Sequence, residues 1–594
     1  MLEKRKLKCD LCVVGGGLAG LSCAISAARE GIKVVLMHER PVLGGNASSE
    51  IRMWVCGAEG EYNRETGIIE EIALENLYRN PTKAYPIWDT VLYDFVRREE
   101  NITLLLNCAC MDASVESGDF SYNRSGKIRS ITGYQLTTQS FIEVEAKFFA
   151  DCSGDSILAP LASAEFRMGR EDAGEFSEDS DLQAPDKMTM GNSLLLQGRE
   201  TDQAIKFTPP PYATKLKAED FNNRLMGLSN DYENFWYLEL GGNKNTISDA
   251  EDIRDELLEL SAGAWDYIKN SGDFEADNFE LEFMGFLPGK RESRRMVGEY
   301  IITQRDISGG TVFPDEIAFG GWPIDDHYPG GFWHKGHPNK VINTPAPYSI
   351  PLRALYSKNI ENLFFAGRNI SMTHLAMSSI RVMATCSLLG EAVGKAAAVA
   401  TANNCTPHEV YLRHIKKVQS ALLEEDCFLP SLKREISPLC LSARFTASDI
   451  LRNGEDRPHS IYGTTAETCS YKAKSGEEIS YIFEEAQELS SLHIVFCSDL
   501  ERTTLPGSKC EQYHSMRCNQ RKDSPRMHLP LTLCRSFRLL GETEEGEKEL
   551  LAVEDNRKRA YHLELEGKYK KLTLIPLSSW GETEEIPIVS FDFN

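Results

Sequence analysis

The sequence predicts an α/β chain in three parts: a Rossmann-like dinucleotide-binding domain, an α+β domain inserted into it, and a C-terminal all-β jelly roll. Three observations predict this. Residues 9–40, CDLCVVGGGLAGLSCAISAAREGIKVVLMHER, read as strand, glycine turn, helix and strand. A strand–turn–helix pattern returns at 363–401 after a long stretch of mixed character. From about residue 438 onward, short alternating strands are separated by turn signals such as RNGEDRP, KSGEE and GETEEGE. At 594 residues the chain exceeds one hydrophobic core, and length alone suggests roughly three or four domains. The expected boundaries are 1–185 and 346–402 for the dinucleotide domain, 186–345 for the inserted substrate domain, 403–437 for a helical linker and 438–594 for the sandwich.

In the first element, KCDLCVV is an apolar strand that ends at Gly15. LAGLSCAISAARE carries apolar residues at helical spacing, Leu18, Leu21, Ile25 and Ala28, and stops at Gly31, a natural C-cap. KVVLMHE is the second strand. Gly15, Gly17 and Gly20 have GxGxxG spacing. Gly15 permits the tight turn, Gly17 lets the backbone approach a pyrophosphate, and Gly20 allows close helix–strand packing. Gly16, Leu18 and Ala19 complete the turn and the helix N-terminus, whose N–H groups favour an anion. Glu39 follows where a carboxylate takes ribose hydroxyls. Further strands are expected at 103–109, 128–137 and 141–150. An acidic, polar stretch at 170–190 marks a boundary near Pro185. Beyond it come a helix near 248–270, a Gly/Pro/aromatic loop at 319–345 and a charged helix near 408–424.

Net charge is −24, which argues against nucleic acid or an anionic membrane as the main partner. The N-terminus, MLEKRKLKCD, runs straight into a strand pattern with no signal-peptide core. The longest apolar run, MATCSLLGEAVGKAAAVATA, is broken by Glu391 and Lys395, so no membrane span is expected. The 16 cysteines are scattered, with many in apolar runs, and read as reduced thiols of a cytoplasmic protein. A homo-oligomer is compatible with this composition.

After Glu39 the chain continues RPVLGGNASSEIRMW, and a second glycine pair beyond the acid is not needed for NAD. Here the sequence resembles the FAD-binding flavoproteins, and GGNAS is similar to the flavoprotein branch of the fumarate reductase superfamily. AKFFADCSGDSILA looks like the strand-then-(T/S)GD element that passes the cofactor. NLFFAGRNISMTHLAMSSIRVMATCSLLGEAVGKAAA looks like the closing flavin segment. GKRESRRMVGEY and AGRNISMTHLAMSSIRVMATC are similar to the RES/TRR and AGR…H…R signatures of the FAD-dependent oxidoreductase family. The resemblance covers about residues 8–400. It implies FAD, contacted by the glycine turn and Glu39, by Arg40, Gly44, Gly45 and Asn46, and by Asp151, Gly154 and Asp155. Gly367, Arg368, Met377 and Ser379 of the closing segment complete that set. Glu50 and Arg52 follow the GG turn and either face the ring or form a structural ion pair. Better-known flavin enzymes often have an acid where this chain has Arg368, so the backbone is expected to serve there instead.

Several chemistries lack their motifs. There is no second GxGxxG after a strand, so a dedicated NAD(P)H domain is not expected. There is no CxxxxC after the first helix and no cysteine cluster for an iron–sulfur centre. Cys9 and Cys12 form a CxxC, but on a strand i and i+3 point to opposite faces, which disfavours metal or redox use. The electron donor or acceptor is therefore a small molecule or another protein meeting the flavin.

Hydride chemistry at a flavin needs a substrate C–H, an acid or base, and groups that steady developing charge. His374 and Arg381, seven apart in SMTHLAMSSIRV, share a face if the helix has begun. His374 is the candidate base, against a capping or packing role; Arg381 either serves the site or pairs with a carboxylate. In GKRESRRMVGEY, an extended chain would put Arg291 and Arg295 on one face, Glu292 and Arg294 on the other. The arginine face holds a carboxylate or polyol substrate, or else the residues stitch two domains together. FGGWPIDDHYPGGFWHKGHPN reads as an ordered loop or lid, not a strand. Its Trp322, Tyr328, Phe332 and Trp333 suit sugar rings. His327, His334 and His337 add polar groups, and HxxH with Asp325 lacks a completing ligand, so no metal is expected.

The C-terminal segments ASDILRNGEDRPHSIYG and SFRLLGE resemble galactose-binding-like jelly rolls of carbohydrate-associated modules, over roughly residues 440–594. The leading expectation is an FAD-dependent oxidoreductase acting on a polar small molecule, a carbohydrate or glycoside derivative. Reduction of an activated C=C bond, as in fumarate reductases, is the second reading. A glycan-binding protein with a structural flavin is the third.

Overall fold

Apolar runs decide the centre of the molecule. The computed structural model describes residues 2–594 apart from 223, 225–226, 229–232, 460–462, 466 and 503–515. Strands β1 (Glu3–Val14), β2 (Val34–Met37), β3 (Ile102–Leu105), β4 (Cys108–Phe120), β5 (Arg124–Gln135), β6 (Ser140–Asp151) and β7 (Leu363–Phe365) form one sheet. Its order is β3-β2-β1-β6-β5-β4, with β7 also on β6. The β3, β2, β1, β6 and β7 pairings are parallel; β4 and β5 add antiparallel. Helices cover the parallel part, so β2 is buried along its whole length and reads VVLM without alternation. The strand expected at 103–109 is two strands, because Asn107 takes a left-handed φ of 53° between β3 and β4.

Cys9 and Cys12 do not lie on opposite faces as alternation predicts. Asp10 N–H and Leu11 N–H both donate to the Lys33 carbonyl, at 2.9 and 3.2 Å. Burial, reinforced by the neighbouring Cys9, pushes the Cys12 thiol well above its usual range, so Cys12 is a buried, protonated thiol.

Helix α1 (Leu18–Arg29) lies on the sheet and α6 (Met383–Asn403) lies on α1. Between them in the chain run α2 (Ile68–Arg79), α3 (Tyr85–Arg97), α4 (Ala250–Asn270) and α5 (His374–Ile380). A Cβ on Gly20 would fall 1.8 Å from the Gly15 carbonyl oxygen, and one on Gly390 would fall 1.9 Å from that of Ala19. Ser22 and Ser387 join across the contact at 2.6 Å, and Ser26 Oγ donates to the Glu391 carbonyl at 2.8 Å. No single described helix is long and apolar enough to cross a membrane; α5 and α6 together reach that length but meet at 95° and are buried.

The inserted domain packs α4 against short strands and has its own core around Trp265, Leu257, Phe235 and Phe332. The segment expected as a loop at 319–345 contains a hairpin. Residues Ile324–His327 pair antiparallel with Asn339–Ile342; Pro329, Gly330, Gly331, Gly336 and Pro338 fall in the connection, while Gly320, Gly321 and Pro323 precede the hairpin. The last part is a β-sandwich of a five-stranded and a four-stranded antiparallel sheet, with Tyr481, Phe537, Phe591 and Leu572 between them.

Gly390→Val forces a side chain into the α1 backbone. It should cost about 3 kcal/mol or more and weaken dinucleotide binding with it. Urea unfolding of the variant beside the parent checks this; an unchanged midpoint would show that the helices can part without penalty.

Candidate active site

The glycine turn is held from below by His38. Gly16 N–H donates to His38 Nδ1 at 3.0 Å, so Nδ1 is an acceptor and Nε2–H meets the Val42 carbonyl at 2.9 Å. Gly15 sits at φ 105°, and a Cβ there would fall 2.3 Å from the Cys152 carbonyl oxygen. Gly17 differs: the nearest atom to a Cβ would be Gly45 Cα at 3.8 Å. The protein itself forbids a side chain at Gly15 and Gly20 but leaves room at Gly17, at the N-terminus of α1, which has no side-chain cap. That vacated space beside free N–H groups suits a pyrophosphate. Gly44 N–H bonds the Gly16 carbonyl at 2.8 Å, which brings the GG turn alongside, and Glu39 stays half exposed next to both. Past the closing glycine, Asn369 Oδ1 and Ser371 Oγ are buried without a hydrogen-bond partner. These residues fit a dinucleotide cofactor.

The segment after the GG turn is held by α3. Trp88 Nε1 donates to the Ala47 carbonyl at 2.9 Å and Tyr85 OH to that of Arg52 at 2.5 Å. Glu50 and Arg52 do not pair with each other. Glu50 lies 3.5 Å from Arg40, whereas Arg52 bonds Gln197 at 2.7 Å and covers the Phe283 ring at 4.0 Å. Asp151 turns inward: its carboxylate accepts from Ser153 and from Leu158 N–H. Asp155 instead meets Arg368 Nη2 at 2.6 Å and Lys290 Nζ at 2.7 Å. The cation at position 368 is thus balanced by the acid of the SGD turn. Met377 is fully buried, and Ser379 bonds Tyr348 and the Trp322 carbonyl.

His374 opens α5 and Arg381 closes it, so they do share a face, and both reach the hairpin strand. His374 Nε2 lies 2.9 Å from Asp326 Oδ1 and Nδ1 lies 2.9 Å from Glu292 Oε2. Arg381 lies 3.1 Å from Asp325. Both nitrogens of His374 face carboxylates, so both carry protons. Burial lowers its pKa, but Glu292 and Asp326 outweigh this and push it up to about 10. Burial raises the Asp326 carboxyl, and the adjacent imidazolium overrides that and lowers it.

A second histidine repeats the pattern. His327 lies between Glu239 at 2.6 Å and Asp325 at 3.1 Å, and Arg291 stands 3.4 Å from Glu239. Arg291 and Arg295 do not present a common face, because residues 291–294 are not a strand. Arg295 is fully buried and spends its donors on Glu292, Glu171, Gly169 O and Met372 O. Arg294 reaches the Asp155 carbonyl at 3.3 Å. Glu292 is sealed, while the Asp326 side chain keeps 20% exposure, so Asp326 is the open end of the His374 set. His334 stacks on Tyr328 at 4.0 Å, His337 is exposed, and neither joins His327. Sequence reasoning missed Asp326, Glu239 and Glu171; the paired acids of IDDH were the available signal.

A dinucleotide fold closed by an inserted domain, with an acid–base cluster between them, defines a flavin-dependent oxidoreductase. Residues 10–422 match the family model described as FAD dependent oxidoreductase, and the chain belongs to that family, with FAD as its cofactor. Curated relatives match over short stretches. Glycerol-3-phosphate dehydrogenase of Mycobacterium leprae is 35% identical over 66 residues, 11% of either chain. Fumarate reductase (cytochrome) of Shewanella frigidimarina is 58% identical over 38 residues, 6% of this chain and 7% of that one. The chain therefore spans only a small part of these relatives. Among solved structures, the myxobacterial chondrochloren halogenase CndH covers 71% of this chain and 80% of its own, at 14% identity and TM-score 0.33. The family 32 carbohydrate-binding module of Streptococcus pneumoniae EndoD covers 25% and 92%, at 12% identity and TM-score 0.17.

The His374 pKa lies above its unfolded value of about 6.5. Its ion pairs therefore contribute stability that is full below pH ~6.5 and lost as pH rises through about 10. Melting temperature should fall across that window, and less steeply in His374→Gln; parallel slopes would show His374 is neutral in the folded protein.

Proposed function

We propose that the enzyme passes a hydride between FAD and a C–OH carbon of an uncharged carbohydrate or glycoside derivative. The observation that carries this reading is that the arginines around Asp326 are already neutralised. Arg381 pairs with Asp325, Arg291 with Glu239, Arg295 with Glu292 and Glu171, and Arg170 with Asp186. A dicarboxylate substrate needs unspent cations, whereas a polyol needs acceptors and donors of the kind Asp326 and His374 offer. Half-buried Trp236, 5.2 Å from His327, and Trp322 add apolar faces suited to a sugar ring.

Bound FAD supplies the hydride acceptor. In the oxidising direction Asp326 takes the hydroxyl proton, and His374, already protonated, orients Asp326 through Nε2–H. The base expected at His374 thus moves one residue outward. Glu292, itself held by Arg295 and Met190 N–H, keeps the imidazole in place. Arg295 acts by positioning. Free thiols at all the described cysteines support a reducing compartment such as the cytoplasm.

The protonated state of His374 favours one other reading, proton delivery to an activated C=C bond. Anaerobic titration of the oxidised-flavin absorbance with glycosides, sugar acids and unsaturated dicarboxylates separates the two. Bleaching by a neutral glycoside, slowed roughly 10²–10⁴-fold in Asp326→Asn, is expected. Reoxidation of the reduced enzyme by an enoate, with no glycoside response, would replace this reading with the reductase.

A further inference from the structure

One residue of the inserted domain touches both loops that flank the glycine turn. The Lys290 carbonyl accepts from Asn46 Nδ2 of the GGN turn at 3.0 Å, and its ammonium reaches Asp155 of the SGD turn at 2.7 Å. Those two loops bracket Gly15–Gly17: Cys152 presses on Gly15 and Gly44 bonds Gly16. Lys290 therefore joins the two loops, by its backbone carbonyl on one side and its ammonium on the other. Around the single Asp155 carboxylate stand two cations, with a third on the backbone carbonyl of the same residue. Arg368 Nη2 lies at 2.6 Å, Lys290 at 2.7 Å, and Arg294 Nη1 reaches the Asp155 carbonyl at 3.3 Å. Ser293 Oγ joins Asp155 at 2.8 Å and accepts from Arg368 at 2.9 Å. The arginines around Asp326 are each paired with a carboxylate of their own, whereas here two cations share one. The side chains of Lys290 and Asp155 keep 23% and 28% exposure, so the pair is only partly buried.

We propose that Lys290 is the inserted domain's cofactor-binding residue: with Arg368 it presents a net positive, Asp155-anchored face to FAD. Two consequences follow from charge alone. A cation beside the cofactor stabilises the negative charge gained on reduction, so Lys290 raises the flavin potential and Asp155, its counterion, restrains that rise. Lys290 also makes docking of the inserted domain and binding of FAD mutually supporting, since one side chain serves both. The inference depends on the cofactor and not on which substrate is used.

The test is FAD affinity by fluorescence titration of apoprotein, with the flavin midpoint potential by anaerobic dye titration. Lys290→Met should weaken FAD about tenfold and lower the potential. Lys290→Arg should keep both near the parent, and Asp155→Asn should move the potential the opposite way, upward. An interdomain salt bridge without a cofactor role would leave the potential unchanged in Lys290→Met and Asp155→Asn, and that result overturns the proposal. Shifts of the same sign in both variants also overturn it. If a variant fails to fold, the surviving member of the pair still decides through its sign.

Discussion

Backbone contact between α1 and α6 is the constraint on which the cofactor cradle depends. Two helices can approach this closely only where side chains are missing, and Gly390 and Gly394 face the carbonyls of Ala19 and Cys23. Because α1 is itself pinned to the glycine turn through Gly20, the position of α6 is set from the start of the chain. The start of α6 then carries two consequences. Ala384 N–H bonds the Cys56 carbonyl at 2.9 Å, which fixes the far end of the segment leaving the GG turn. The sharp bend before α6 presents α5, with His374 and Arg381, to the inserted domain. A contact between small residues thus places both the cofactor loop and the acid–base group.

Charge pairing settles the rest of the cleft. Two adjacent aspartates on one strand each meet a histidine, and each histidine meets a buried glutamate that an arginine of the 291–295 segment neutralises in turn. Such groups are expensive to bury singly, and removing one partner of a buried pair costs about 3–5 kcal/mol. The sets are therefore stable only as wholes. They cross the boundary between the domains, since Glu292 and Arg295 of the inserted domain meet His374, its approach and Glu171. Docking of the inserted domain and assembly of the site are one event in this geometry. Asp326 is the member whose second oxygen is left open.

The parts of this that could be read in the sequence are those with a short-range cause. GxGxxG encodes a turn and a close approach, the apolar runs encode buried strands, and the spacing of His374 and Arg381 encodes a shared helix face. What failed to be legible depended on register or on partners distant in sequence. Glu292 and Arg295 were expected on opposite faces because the segment was taken as extended; without a strand there, the three-residue spacing lets them pair. Cys9 and Cys12 lie side by side where two successive N–H groups of β1 share the Lys33 carbonyl, an irregularity with no sequence marker. The IDDH strand hid between glycines and prolines that flank it on both sides. Glu239 and Glu171 become site residues only through contacts with chain many residues away, for which a single sequence offers no sign.

The β-sandwich has a structural task that is independent of any glycan. Arg502 grips Glu70 of α2 through two bonds at 2.8 and 2.7 Å, and Arg559 pairs with Asp426 at 2.9 Å. Arg457 donates to the Tyr62 and Arg64 carbonyls, each at 3.0 Å, on the stretch that joins the cofactor loop to α2. These are buried, charge-assisted contacts, of a kind that a tethered module on a flexible linker does not make. The linker joins in, since Arg434 pairs with Asp456 and Asp592 at 2.7 Å. The sandwich therefore braces the stretch that leads from the cofactor loop into α2. A carbohydrate substrate must be argued from the polar, charge-balanced cleft at Asp326, because the fused domain would be retained for this bracing whatever the enzyme oxidises.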